Sequence, residues 1–209
     1  MQKESIKNII FDLGNVIINI DPEQTAIEMK KLGFDDFEKS YSLLSQTNLF
    51  DSLEKGLIKP AQFHKEINSQ LRNAVRSEEI DKAWGAMLLD FPKARIELIQ
   101  KLKKNYRLFL LSNTNEIHYN QYNDDLINQF GFGLNSLFEK AYYSFELGMR
   151  KPDTNIFEYA LKDADLNPSE TLFIDDLEKN IDVADRMGIN TIWLDISKGD
   201  DITEKLNGF

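Results

Sequence analysis

Short apolar runs recur along the chain, separated by polar turns and amphipathic stretches. Ile9-Ile10-Phe11 comes first, and Leu108–Leu111, Ala141–Tyr143, Thr171–Ile174 and Thr191–Leu194 follow. Runs this short, rich in β-branched and aromatic residues, predict strands buried on both faces, as in a parallel sheet. The stretches between them carry helical spacing. Pro92 opens one with Ile96, Leu98, Ile99 and Leu102 on its apolar face, and Lys101, Lys103 and Lys104 suit its C-terminal end. Pro152-Asp153 opens another, with Ile156, Phe157, Ala160 and Leu161 in register. A third runs from about Glu178 to Met187 and stops at Gly188. This alternation predicts an α/β fold: a Rossmann-like, mainly parallel sheet with helices on both faces.

Residues 21–90 break the rhythm. Asp21-Pro22 reads as an N-cap followed by proline at the first helical position, with Gln24 completing a capping box and Gly33 ending the helix. Helical patterns follow around Phe37–Leu44, Pro60–Leu71 and Ser77–Leu88, with no strand-like run among them. The expected organisation is a core domain of residues 1–20 and 91–209, with a small all-helical cap domain, 21–90, inserted after the first strand. The connections near Ile20–Asp21 and Asp90–Pro92 are then candidate hinges. Internal repeats and low-complexity tracts are absent.

Composition narrows the function classes. At 209 residues, 42% apolar and 29% charged, the chain has the balance of an ordinary globular protein with a sizeable core. No apolar run approaches the ~18 residues of a membrane span. Met1–Ser5 leads directly into the first strand, leaving no room for a signal peptide. The absence of cysteine excludes thiol nucleophiles, disulfides and iron–sulfur ligation. A cytoplasmic enzyme is expected, and a monomer, since no heptad pattern suggests association. A net charge of −10 argues against nucleic acid or an anionic membrane as partner. If the substrate is anionic, local cations must reverse the sign within the site.

Candidate chemistry sits at the ends of the apolar runs. Asp12 follows Phe11 and precedes Leu13-Gly14-Asn15. At a strand's carboxyl end, where open α/β sheets bind ligands, it suits a nucleophile or a metal ligand; it equally suits a turn Asp capping local N–H groups. Ser112-Asn113-Thr114-Asn115 ends the second run and offers hydrogen bonds to phosphate oxygens, or an N-cap for the next helix. Gly148-Met149-Arg150-Lys151-Pro152 places a lysine just before a helix, where it can neutralise phosphate or sit on the surface. Asp175-Asp176 ends another run, and adjacent carboxylates of this kind suit Mg²⁺ shared with phosphate and water.

In this order the four segments resemble the haloacid-dehalogenase-like phosphohydrolase superfamily, over essentially the full chain and with a helical cap after the first motif. The wording Phe11-Asp12-Leu13-Gly14-Asn15-Val16 with Leu147-Gly148-Met149-Arg150-Lys151-Pro152 is similar to a helical-cap subgroup that includes α-D-glucose-1-phosphate phosphatases. The resemblance implies a phosphatase acting on a small phosphorylated metabolite, a sugar phosphate being favoured. Asp12 would attack phosphorus and form an aspartyl-phosphate. Mg²⁺ would be held by the Asp12 side chain, the Gly14 carbonyl and Asp176, with Asp175 ligating directly or through water. Ser112 and Lys151 would hold phosphoryl oxygens, with Asn113 nearby. Glu54, in the Glu54-Lys55-Gly56 turn of the cap, would reach substrate hydroxyls.

Two departures stand out. Gly14 occupies the position where most phosphatases of the superfamily carry a second Asp as acid and base, help worth ~10²–10⁴ in rate. Asp175, Asp21 or water would then substitute, or the ester would need little protonation, or activity would be feeble. Asn180 stands four residues after Asp176, where many relatives place another Asp, so metal binding should be weaker. The alternatives are a 2-haloacid dehalogenase, which the Asp175-Asp176 pair disfavours, a phosphoryl transferase, and a protein that binds a phosphometabolite without turning it over. His64 and His118, without zinc-type spacing, read as helix-surface or interface residues. Tyr119, Tyr122, Tyr142 and Tyr143 read as core or rim aromatics, Trp84 as packing within the cap, and Trp193 as ending a core strand.

Overall fold

The computed structural model describes residues 5–37 and 49–209; the pattern around Phe37–Leu44 falls, beyond Phe37, outside the described residues. Five strands form one sheet: β1 (Asn8–Phe11), β2 (Arg107–Ser112), β3 (Lys140–Tyr143), β4 (Thr171–Asp175) and β5 (Asn190–Trp193). Their order is β3-β2-β1-β4-β5, and every pairing is parallel. Phe11 at the end of β1 lies opposite Leu110 and Ile174.

Alternate residues of these strands enter different cores, which is why the runs are continuously apolar rather than alternating. Ile9, Phe11, Leu108, Leu110, Leu172 and Ile174 pack on one face with Ile96, Ile99, Leu126 and Ile202. Ile10, Phe109, Leu111 and Phe173 pack on the other with Ile156, Phe157, Ala160 and Ile181. Full burial of each such side chain contributes about 1.5–3 kcal/mol. Trp193 departs from expectation. It ends β5, but β5 is an edge strand and the indole is 39% exposed, its Nε1 donating to the Asp176 carbonyl at 3.0 Å.

The helices are α1 (Pro22–Lys31), α2 (Leu49–Glu54), α3 (Pro60–Gln70), α4 (Ser77–Trp84), α5 (Lys93–Leu102), α6 (Glu116–Phe130), α7 (Ser144–Leu147), α8 (Thr154–Asp163), α9 (Glu178–Arg186) and α10 (Ile202–Lys205). α1 begins as its sequence dictates: Asp21 accepts from the Glu23 N–H at 3.0 Å and from the Gln24 side chain at 2.9 Å. Gly33 follows the helix with φ +100°, a conformation that favours glycine. α2 and α7 are too short to show a helical period. α4 is shorter than its pattern suggests and passes into a 3₁₀ turn, Gly85–Met87. The Trp84 carbonyl there accepts from Thr25 Oγ1 at 2.9 Å and lies 3.1 Å from His118 Nε2.

α1 to α4 form a helical layer with its own core, in which Met29, Phe50, Leu53, Phe63, Ile67, Ile80 and Trp84 pack together and Ile117 of α6 joins from the sheet side. Phe50 and Trp84 stack with centroids 5.0 Å apart. The two passages between this layer and the sheet run side by side. Ile20 and Leu88 form an antiparallel bridge, Asp21 N–H donates to the Met87 carbonyl at 2.9 Å, and Leu89 N–H donates to Asn19 at 3.0 Å. Among the described residues no helix is long and apolar enough to cross a membrane.

Candidate active site

In the order β3-β2-β1-β4-β5 the chain leaves β1 toward β2 and leaves β4 toward β5, so a crevice opens between the carboxyl ends of β1 and β4. Asp12 and the Asp175-Asp176 pair stand at those two ends. Asp12 N–H extends the ladder by donating to the Ile174 carbonyl at 2.9 Å. The chain then turns tightly through Asn15, whose φ of +56° suits asparagine. The Asn15 amide donates to Asp176 Oδ2 at 2.9 Å, and its oxygen accepts from Ile20 N–H at 3.2 Å. One side chain thus joins both strand ends to the passage into the helical layer.

Lys151 reaches into the crevice from the loop before α8. It is 1% exposed, and its Nζ lies 2.6 Å from Asp12 Oδ1 and 2.7 Å from Asp175 Oδ2. Its backbone is held at both ends by one residue: Asn113 Nδ2 donates to the Lys151 carbonyl and Asn113 Oδ1 accepts from Lys151 N–H, each at 2.8 Å. Ser144 clamps the same segment to β2 in like manner, through the N–H and carbonyl of Thr114. Asp175 is fully buried, and both its oxygens are engaged by Lys151, the Asn180 amide and the Leu177 N–H. Asp12, Asp175 and Asp176 bring carboxylate oxygens within 4.8 Å of one another.

The electrostatics follow from this crowding. Burial pushes the Asp12 carboxyl up to about 7; Lys151 opposes the shift, and Asp175 and Asp176 add to it. Burial alone would lower Lys151, but Asp12 and Asp175 outweigh it and hold the ammonium above the usual lysine value. Burial also raises Asp176, against the Asn15 hydrogen bond. The site is a charged lysine beside two carboxyls, Asp12 and Asp176, that are reluctant to ionise without a further cation.

A cavity of about 350 Å³ opens over these groups. Asp12, Gly14, Ser112, Asn113, Lys151 and Asp176 line its floor, and Glu54, Trp84, Met87 and Leu88 of the helical layer line its roof. Several contacts join the roof to the sheet side. Arg150 Nη1 lies 2.9 Å from Asp51 Oδ1 and 3.0 Å from Glu54 Oε2. Gly56, with φ +63°, sits so close to Phe145 that an added Cβ would fall 2.0 Å from its carbonyl oxygen. Trp84 stacks on His118 with centroids 5.0 Å apart.

Asp12, Ser112, Asn113, Lys151, Asp176 and Glu54 therefore meet at one cavity, with Asp175 directly behind. Asn113 differs in detail, because both halves of its amide serve the Lys151 backbone. Asn115, not Ser112 or Asn113, caps α6, accepting from His118 N–H at 3.1 Å. The two histidines are both interfacial. His64 lies 2.6 Å from Asp81, while His118 is buried between layers, and burial lowers it to about 4 against the opposing Trp84 carbonyl. Sequence reading did not assign Arg150 or Asp51. Arg150 adjoins Lys151, but nothing in the spacing shows that α2 turns its carboxylates toward it.

A family model for haloacid dehalogenase-like hydrolases matches residues 6–188. D-ribitol-5-phosphate phosphatase of Bacteroides thetaiotaomicron is 34% identical over 186 residues, 89% of this chain and 90% of that protein. Among solved structures, a HAD family enzyme of the same bacterium, in complex with magnesium and inorganic phosphate, superposes with a TM-score of 0.89 at 38% identity, over 96% of this chain and 99% of that one. A predicted HAD-like hydrolase from Porphyromonas gingivalis gives 0.84 at 33% identity, over 90% and 91%. With strand-end carboxylates at the switch point and matches of this extent, the chain belongs to the haloacid dehalogenase-like hydrolase family and is an enzyme of that family.

Proposed function

We propose that the chain is a Mg²⁺-dependent phosphatase that cleaves a small sugar or sugar-alcohol phosphate through an aspartyl-phosphate on Asp12. The observation that carries this is the cluster of Asp12, Asp175 and Asp176 around Lys151 at the mouth of the sheet. The relatives named for ribitol 5-phosphate hydrolysis and solved with magnesium and phosphate support it.

The residues fit a hard divalent cation. Asp12, Asp175 and Asp176 outnumber Lys151 and Arg150, so a phosphate dianion would meet net repulsion without one. Asn180 Oδ1, buried beside the cluster and lining the cavity, has no hydrogen-bond partner. We assign Asp12, Asp176 and the Gly14 carbonyl as direct ligands. Asp175, saturated by Lys151, Asn180 and a backbone N–H, acts from behind. Bound there, Mg²⁺ would offset the carboxylate charge and polarise a phosphoryl oxygen.

Lys151 and Ser112 hold phosphoryl oxygens, and Asn113 fixes the Lys151 backbone in place. Positioned this way, Asp12 attacks phosphorus in line with the departing ester oxygen. Residues 21–90 act as a cap that closes over the ester and excludes water, with Glu54 toward its organic part and the paired passages at Ile20 and Leu88 as hinge. A cavity of about 350 Å³ suits a small phosphorylated metabolite, bound by the chain alone.

The test is phosphate release from a panel of sugar phosphates, sugar-alcohol phosphates, acyl phosphates and p-nitrophenyl phosphate. Release that depends on Mg²⁺, stops with chelator and disappears in Asp12→Asn is expected. Silence of the folded wild type across the panel with Mg²⁺ present would sink the reading.

A further inference from the structure

An alkyl ester oxygen leaves as a poor, basic alkoxide unless it receives a proton as the P–O bond breaks. In-line attack by Asp12 from the sheet side aims that oxygen at the roof of the cavity. Among the described roof residues, Pro22, Trp84, Met87 and Leu88 carry no ionisable group, and Glu54 does. Two proton carriers on the sheet side are otherwise engaged, and burial holds the Tyr122 hydroxyl, also on the cavity wall, well above its ordinary pKa. His118 must donate from Nε2 to the Trp84 carbonyl, and Lys151 spans Asp12 and Asp175. Asp21 caps α1 and does not line the cavity. Gly14 carries no side chain, and a Cβ there would press on Ile20 Cδ1 at 3.0 Å.

We propose that Glu54 is the general acid of the reaction, donating its carboxyl proton to the departing ester oxygen. Its setting suits that task. The side chain is 24% exposed and lines the cavity, and Oε2 is shielded against Arg150 at 3.0 Å without an aligned hydrogen bond. Burial raises the carboxyl pKa, with Arg150, Lys179 and Lys55 opposing and Asp51 adding to the rise. In the first step the Asp12–phosphorus bond forms, the ester P–O bond breaks, and its electron pair takes the Glu54 proton, so the alcohol leaves neutral. Arg150 then faces the Glu54 carboxylate. In the second step water attacks phosphorus, the Asp12–phosphorus bond breaks, and the proton released by water restores Glu54.

This assignment rests on the phosphatase reading, and the experiment separates the two. kcat/KM is measured with Mg²⁺ for wild type, Glu54→Gln and Glu54→Asp on ribitol 5-phosphate and on p-nitrophenyl phosphate, whose phenolate leaves without a proton. The Gln variant should lose at least about a hundredfold more on the alkyl ester than on the aryl ester, and Asp should recover part of that difference. In wild type, the alkyl profile should fall at high pH along a limb that the aryl profile lacks. Equal losses on both esters, or one shared limb, overturn the role of Glu54 alone. A wild type inactive on both esters overturns the phosphatase reading with it.

Discussion

The floor and the roof of the cavity are built differently. On the floor, Asp175 has both oxygens engaged, the Lys151 backbone is held at its N–H and its carbonyl, and the carboxylates stand on strand ends. On the roof, short helices touch the sheet side through the Arg150 ion pairs, the seat of Gly56 and the Trp84–His118 stack. The floor is over-determined and the roof is held by separable contacts. Under the proposed function, chemistry that tolerates little misplacement is set on the first, and closure and choice of substrate on the second.

Breaking the floor should have the largest effect. Asp12→Asn should lower turnover by about 10⁴-fold or more, measured as phosphate release; residual activity near wild type would remove Asp12 from the reaction. Lys151→Met comes next. It strands two buried carboxylates, so metal-free stability at neutral pH should fall by about 3–5 kcal/mol in denaturant unfolding, with Mg²⁺ recovering part.

The roof should respond more gently, and to pH. His118 is neutral when buried and protonates only at about 4, whereas in the unfolded chain it protonates near its ordinary value of 6.5. The unfolded state therefore binds more protons between these values, and stability is lost as pH falls through that window, by about 3 kcal/mol in all. The stability difference between wild type and His118→Gln should shrink from pH 7 to pH 4. A difference that stays flat would mean the layers are not closed over His118 in solution. Smallest is Gly56→Ala, whose methyl collides with the Phe145 carbonyl and lifts the turn carrying Glu54. It should cost about 1–3 kcal/mol of stability and affect kcat/KM for bulky esters less than for small ones.

Much of this contrast was legible in the sequence for the floor and little of it for the roof. Strand ends declare themselves: an apolar run that stops at Asp12 or at Asp175-Asp176 places a carboxylate at the sheet's mouth by periodicity alone. Local rules also placed Asp21 at the start of α1 and Gly33 after its end. What periodicity cannot carry is the meeting of distant surfaces. That Arg150 finds Asp51, that His118 stacks under Trp84, and that Asn113 spends its amide on Lys151 depend on how layers dock. The exposure of Trp193 belongs here too, because an apolar run does not reveal that its strand lies at the sheet's edge.

The side-by-side passages at Asn19–Asp21 and Met87–Asp90 have a consequence for the history of the chain. Its path departs from the sheet and returns at neighbouring points, joined by the Asn19–Asp90 and Asp21–Met87 hydrogen bonds. The helices between are a detour and leave the order of strands untouched. Such a detour can lengthen, shorten or be exchanged while the carboxylates at the strand ends keep their places, so under the proposed function substrate range can diverge at one point of the chain without renegotiating the chemistry beneath it.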